Sequence, residues 1–303
     1  MQIKTALSLT CVMALALTGC THHRPLKSWH LEPVCSVPGF KTPECAEVNP
    51  DDGMVYVANL FAVTRDTVGA LDENGFISTL APGGELKTFQ AIKGTAALPV
   101  HGASGMCFFN GYLYFNDRNN LKRCPLDDPT AIEVVRVPGT TGGFNDAGCD
   151  DHYVYVSSEA KHIYRVDAQG KGGKFVDLDG VNGIKSWKGK LFAVTTNKDK
   201  SDIYELDPTG KIPPQAFGLA PAFAGLDGIE ILNDGTFLIT DCHGHKVYTV
   251  GPDRKTVTLV AEGLEYPADL GVDTKRGFVY VPQFFRDTVE VYRLKSGTRA
   301  KAP

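Results

Sequence analysis

Two five-residue stretches share a pattern one repeat-length apart. They are GVNGI at 180–184 and GLDGI at 225–229, and 225 − 180 = 45. Asn-Gly and Asp-Gly are turn dipeptides, because both residues tolerate positive φ. Turn chemistry does not account for the polar residues met at the same phase elsewhere: TPECA at 42–46, HGASGM at 101–106, FNDAG at 144–148 and YPADLG at 266–271. Together these present Glu44, His101 with Ser104, Asn145 with Asp146, Asn182, Asp227 and Asp269. Glu44 follows a proline and is a poor turn residue. Carboxylates that converge repel one another unless a cation compensates them. Carboxylate and amide oxygens without thiolates suit calcium or magnesium rather than zinc. The set therefore predicts a divalent-cation site. Glu44 and Asp227 would balance the charge, and Asn145 and Asn182 would add neutral oxygens.

A cation held there polarises a carbonyl and stabilises an oxyanion. Asp227 or Asp269 is then the candidate base, with Asp227 alternatively a nucleophile. His101 is a candidate proton shuttle, because its charge changes near neutral pH. Asp146, Ser104 and His243 are candidate substrate contacts. His243 belongs to DCHGHK at 241–246, where Cys242, His243 and His245 read either as a soft-metal cluster or as a solvated glycine turn.

These residues need elements that bring them to one place. A strand of alternating apolar residues recurs six times: GMVYVAN at 53–59, GYLYFND at 111–117, HYVYVSS at 152–158, GKLFAVT at 189–195, GTFLITD at 235–241 and GFVYVPQ at 277–283. The period is two, as in strands, and helical periodicity is nearly absent. A repeat of about 40–45 residues with four short strands is the signature of a propeller blade. The fold expected is all-β, a six-bladed β-propeller over residues 29–296, with a C-terminal tail at 297–303. The last copy ends its third strand at VEVYRL, 289–294, and lacks a fourth. The segment SWHLEPVCSV at 28–37 has no blade of its own. It is expected to close the ring as the outer strand of the last blade, removing an open sheet edge. That placement brings Cys35 towards Cys45 and makes them the favoured disulfide pair, although spacing alone does not fix connectivity.

The ordered set PE at 43–44, FND at 144–146, NG at 182–183, LDG at 226–228 and PADLG at 267–271 resembles the senescence marker protein/gluconolactonase family, which includes regucalcin. More distantly it is similar to paraoxonase and diisopropyl fluorophosphatase. The likeness covers about residues 38–294. It implies a six-bladed propeller with one divalent cation at the channel mouth, usually calcium, with magnesium, manganese or zinc as alternatives. The family's ligand pattern falls on Glu44, Asn145, Asn182 and Asp227. The activity implied is hydrolysis of a lactone or related ester. The chain departs from the family in having no tryptophan shortly after Glu44. The arginine nearest to FND in sequence is Arg136, which turns the expectation away from sugar lactones.

The chain begins with a positive MQIK and a short apolar run ending in LTGC at 17–20. The run is short for a membrane span and reads as a signal peptide. It resembles the lipobox of bacterial lipoproteins. On that reading residues 1–19 are removed, Cys20 is lipidated and residues 20–28 form a tether. The propeller would then face the periplasm from a membrane, the outer in preference to the inner, since Thr21 is not the aspartate that retains lipoproteins inside. Among 303 residues, 43% are hydrophobic and 22% charged, with net charge −4. No basic cluster stands out, so nucleic acid is not an expected partner. Because a fold does not dictate chemistry, a non-catalytic envelope propeller that binds a protein or glycan is the second expectation.

Overall fold

The computed structural model describes residues 27–61, 72–140, 142–158 and 160–298. The signal segment and Cys20 lie outside the described residues. Among the described residues twenty-four strands form six four-stranded antiparallel sheets. Blade 1 runs outwards through Pro43–Val48, Val55–Asn59, Phe76–Leu80 and Leu86–Lys93. The next four blades repeat that order, and their inner strands are Ala103–Phe109, Phe144–Cys149, Val181–Trp187 and Leu226–Ile231. Blade 6 takes Gly271–Asp273, Phe278–Gln283 and Thr288–Thr298 from the C-terminal end and Lys27–Pro38 from the N-terminal end. This is the six-bladed propeller that the repeats predict. The closing strand pairs antiparallel with the last one, Leu31 opposite Leu294 and Val37 opposite Val289.

The core lies between blades rather than within one sheet. Side chains alternate across each strand, so both faces of a blade meet a neighbour. Ala58 and Ile77 of blade 1 pack with Met106, Leu113 and Phe115 of blade 2. Val55, Val57 and Leu80 pack with Tyr280, Val289 and Val291 of blade 6, and Val37 and Phe40 cover that joint. Each such aliphatic or aromatic side chain contributes about 1.5–3 kcal/mol when fully buried. The ring is thus closed twice, by strand pairing and by apolar packing.

The second strand of a blade also ends in a polar anchor. Asp117 Oδ1 accepts the backbone N–H groups of His101 and Gly102 at 2.7 and 2.8 Å. Asp241 does the same for Ala224 and Gly225 at 3.0 and 2.9 Å. Asn59 and Gln283 accept from Lys41 and Glu265. These side chains are buried and fix the loops that lead into the inner strands.

Two sequence expectations are corrected. Cys35 and Cys45 are both free thiols. Cys35 sits in the outermost strand of blade 6, and Cys45 in the innermost strand of blade 1. Ring closure brings those blades together but leaves the two strands at opposite edges. Asn-Gly and Asp-Gly are not turns either. Gly183 and Gly228 lie inside strands and have no positive φ. A Cβ at Gly183 would strike the carbonyl oxygen of Asp227, and one at Gly228 would stand 2.6 Å from Asp269 Oδ1. Glycine is required because neighbouring inner strands touch there.

Candidate metal centre

Five inner strands open with a register shift, and the polar residues sit in it. In blade 1 Pro43 pairs with Asn59 and Cys45 with Ala58, which leaves Glu44 as the extra residue. In blades 2 to 5 two residues face one: Ser104 and Gly105, Asn145 and Asp146, Asn182 and Gly183, Asp227 and Gly228. Such bulges re-aim side chains at functional sites. The freed backbone donors are satisfied locally, Asp146 N–H by Ser157 Oγ at 2.9 Å and Gly228 N–H by Thr240 Oγ1 at 2.8 Å.

The bulges deliver Glu44, Asn145, Asn182 and Asp227 to one cavity of about 390 Å³. Ser104, Arg118, Cys242 and His243 also line it, and Leu60, Phe144, Tyr266, Phe284 and Phe285 supply apolar surface. Phe284 and Phe285 meet edge to face at 4.7 Å. Glu44 and Asn182 are 7% exposed, so water satisfies them poorly. Glu44 Oε2 and Asn145 Oδ1 are buried without a hydrogen-bond partner. The Asn182 amide and the Cys242 thiol stand beside Asp227 and partly offset the rise in its pKa. Ser104 Oγ donates to the Asn145 carbonyl at 2.9 Å, which holds that strand.

Burial, with the charges of Asp227 and Asp146, drives the Glu44 carboxyl well above its usual range, and Arg118 offsets this in part. Burial and Asp146 push Asp227 up to about 7. Burial raises Asp146 to about 6 against backbone N–H bonds from Ile184 and Ala147. All three carboxyl groups resist ionisation as the chain stands. Glu44 Oε2 and Asn145 Oδ1, unpartnered at the cavity wall, are what a cation would satisfy. Among the described residues no three His, Cys, Asp or Glu side chains form a metal-binding group. The candidate set contains only two carboxylates, so amide oxygens must supply the rest.

Other residues singled out from sequence fall elsewhere. Asp269 bridges to the blade 1 strand: its N–H donates to the Glu44 carbonyl at 2.9 Å, and its Oδ2 accepts from Cys45 Sγ at 3.0 Å. That pairing draws it below the cavity, where it is not placed to act as its base. Asp146 also turns away, and its Oδ2 accepts from Ile184 N–H at 2.6 Å. His101 does not line the cavity, and its loop is held by Asp117. Of the two histidines in DCHGHK, His243 reaches the cavity, whereas His245 Nδ1 lies 3.0 Å from the Leu264 carbonyl and its ring packs on Tyr266.

Sequence reasoning missed Arg118, the cationic side chain on the cavity wall. It follows the second-strand anchor Asp117 rather than the FND at 144–146, at a positive φ of 57°. Its signal was the earlier FND, at 115–117, read only as a strand end. A second omission lies at the other mouth of the channel. There Lys185 Nζ stands 2.5 Å from Glu230 Oε1 and 3.4 Å from Glu47 Oε1, in a cavity of about 280 Å³. ECAE, NGIK and DGIE carry this second layer three residues after the first. In a regular strand such spacing points to opposite faces. The bulge restores both to the channel.

A scan of protein-family models finds no match, and a search of curated proteins finds none either. Solved structures do match. They include luciferin-regenerating enzyme, with 12% identity, TM-score 0.64 and coverage of 88% of this chain and 95% of that one. A streptogramin B lyase has 16% identity and TM-score 0.62, covering 89% and 98%. Virginiamycin B lyase from Staphylococcus aureus has 12% identity and TM-score 0.62, covering 88% and 99%. At these identities the likeness is one of fold, and it spans nearly the full length of each neighbour.

Proposed function

We propose that the protein is a divalent-cation-dependent hydrolase of lactones or related esters, with calcium as its ion. The observation that supports this most is the pair of orphaned oxygens, Glu44 Oε2 and Asn145 Oδ1, beside Asp227 on a cavity sized for a small molecule. Glu44, Asn145, Asn182 and Asp227 would hold the ion, and all are hard oxygen donors. When bound, the cation supplies Lewis acidity to an ester carbonyl.

The remaining roles belong to the chain. Asp227, with Asn182 and Cys242 beside it, would take the proton of an attacking water. His243, rather than His101, is the histidine able to pass a proton at the cavity wall. Phe144, Phe284 and Phe285 would seat the apolar part of the substrate and exclude bulk water. Arg118 would face negative charge on the substrate. Export and lipidation at Cys20 belong to the same reading and place the site at the cell envelope. Palmitate labelling that is lost in Cys20→Ala would support that part.

The test is turnover of a panel of lactones and aryl esters with and without a chelator. The reading expects chelator-sensitive hydrolysis that Asp227→Ala lowers at least about a hundredfold, the size expected for a lost general base. Cation binding with no turnover across the panel would favour the non-catalytic binding propeller.

A further inference from the structure

The cavity at the opposite mouth holds a pair of groups that the proposed chemistry does not use. Cys107 and Cys149 both line it. They come from the inner strands of blades 2 and 3, which touch: a Cβ at Gly105 would strike the Asp146 backbone. Two residues beyond Gly105, the gap between the same strands is occupied by sulfur. Cys149 packs against the buried cluster that contains Cys107, and its Sγ donates to the carbonyl of Phe108, next to Cys107, at 3.1 Å. Cys107 is 3% exposed, whereas Cys149 is half-buried and open to the cavity. The other described thiols are engaged or separate. Cys45 donates to Asp269, Cys242 lines the opposite cavity with Asp227, Cys124 is buried in the joint between blades 1 and 2, and Cys35 lies on the outer strand of blade 6.

We propose that Cys107 and Cys149 are a dithiol–disulfide couple that fastens blade 2 to blade 3 at the channel mouth opposite the candidate cation site, with low-molecular-weight disulfides as its oxidant. The accessible Cys149 thiolate attacks the small disulfide, forms a mixed disulfide and releases one small thiolate. Cys107 then gives its proton to that thiolate and attacks Cys149 Sγ. The second small thiolate leaves and takes the proton lost from Cys149. Two protein thiols are oxidised and one small disulfide is reduced to two thiols. The bond would join residues 42 positions apart, since 149 − 107 = 42, and so constrain the unfolded chain.

The test is exposure of the purified full-length protein to oxidised glutathione under native conditions, followed by alkylation and peptide mass mapping. The couple predicts a Cys107–Cys149 cross-link, with Cys45 and Cys124 unmodified and a melting temperature several degrees higher that dithiothreitol reverses. Cys107→Ser should stop at a glutathione adduct on Cys149, and Cys149→Ser should leave Cys107 unmodified. A wild-type protein that stops at the Cys149 adduct would overturn the proposal. So would a cross-link that appears only when Cys45 and Cys124 are modified too, because the chain would then have opened first.

Discussion

The two mouths of the channel solve one electrostatic problem in two ways. The same three strands supply both: Glu44, Asn182 and Asp227 at one end, and Glu47, Lys185 and Glu230 three residues further along each. At the second mouth the chain provides its own cation. Burial works against the charge of Lys185, yet Glu230 and Glu47 hold its pKa above the ordinary lysine value. At the first mouth the lysine is replaced by an amide, and two carboxylates face each other with only the partial help of Arg118. A buried pair of like charges persists when something else neutralises it. The difference between Asn182 and Lys185 is therefore the strongest reason to place a divalent ion at one mouth and not at the other.

The comparison can be broken most severely at the self-compensated end. Lys185→Met leaves Glu47 and Glu230 without a counter-charge. We expect a loss of about 3 kcal/mol in denaturant unfolding, at the low end for a broken buried pair because the Lys185 side chain keeps 28% of its exposure. An unchanged midpoint would show that this pair is solvated. At the other end calcium should stabilise the wild type by about 2.7 kcal/mol at a hundredfold excess over its dissociation constant. Glu44→Gln should lose most of that gain, as read by thermal melts with and without the ion.

The next effect is in pH. Asp227 at about 7 and Asp146 at about 6 are raised in the fold above an unfolded value of about 3.9. For an acid raised in this way, the stabilisation is present below its unfolded pKa and is lost as pH rises through the folded one. Without ion the protein should lose about 2 kcal/mol between about pH 6 and about pH 8. Bound calcium should flatten that slope, because it favours the ionised forms. A fall that calcium leaves unaltered would point to other groups. The smallest effect comes from copying one mouth onto the other. Asn182→Lys should raise ion-free stability by about 1 kcal/mol, the worth of about one pKa unit at Asp227. It should also abolish the calcium response; a retained response would mean that Asn182 is not part of the site.

The fold was legible because each blade repeats a short strand of period two, and the count of strands left one place for residues 28–37 to fill. The convergence of Glu44, Asn145, Asn182 and Asp227 was legible because a side-chain carbonyl or carboxylate oxygen recurs at one phase of the repeat. What misled was treating those phases as turns. The bulges keep Asn182 and Asp227 within strands, and the glycines after them serve strand contact rather than positive φ. Asp269 stands one residue later than Asp227 does: Pro267 pairs with Gln283 and Gly271 with Tyr280, so Ala268 takes the equivalent place and Asp269 pairs with Cys45 below the cavity. Arg118 and Lys185 were invisible to a search for one residue per blade. The first stands on a different strand, and the second reaches the channel only because a bulge resets the alternation.

The most direct test is calorimetric titration of calcium into the purified protein beside its Asp227→Asn variant. The wild type should show a single site and the variant no heat of binding, with both folded by circular dichroism. A folded wild type that binds no divalent ion, or a variant that binds as well as the wild type, would contradict it.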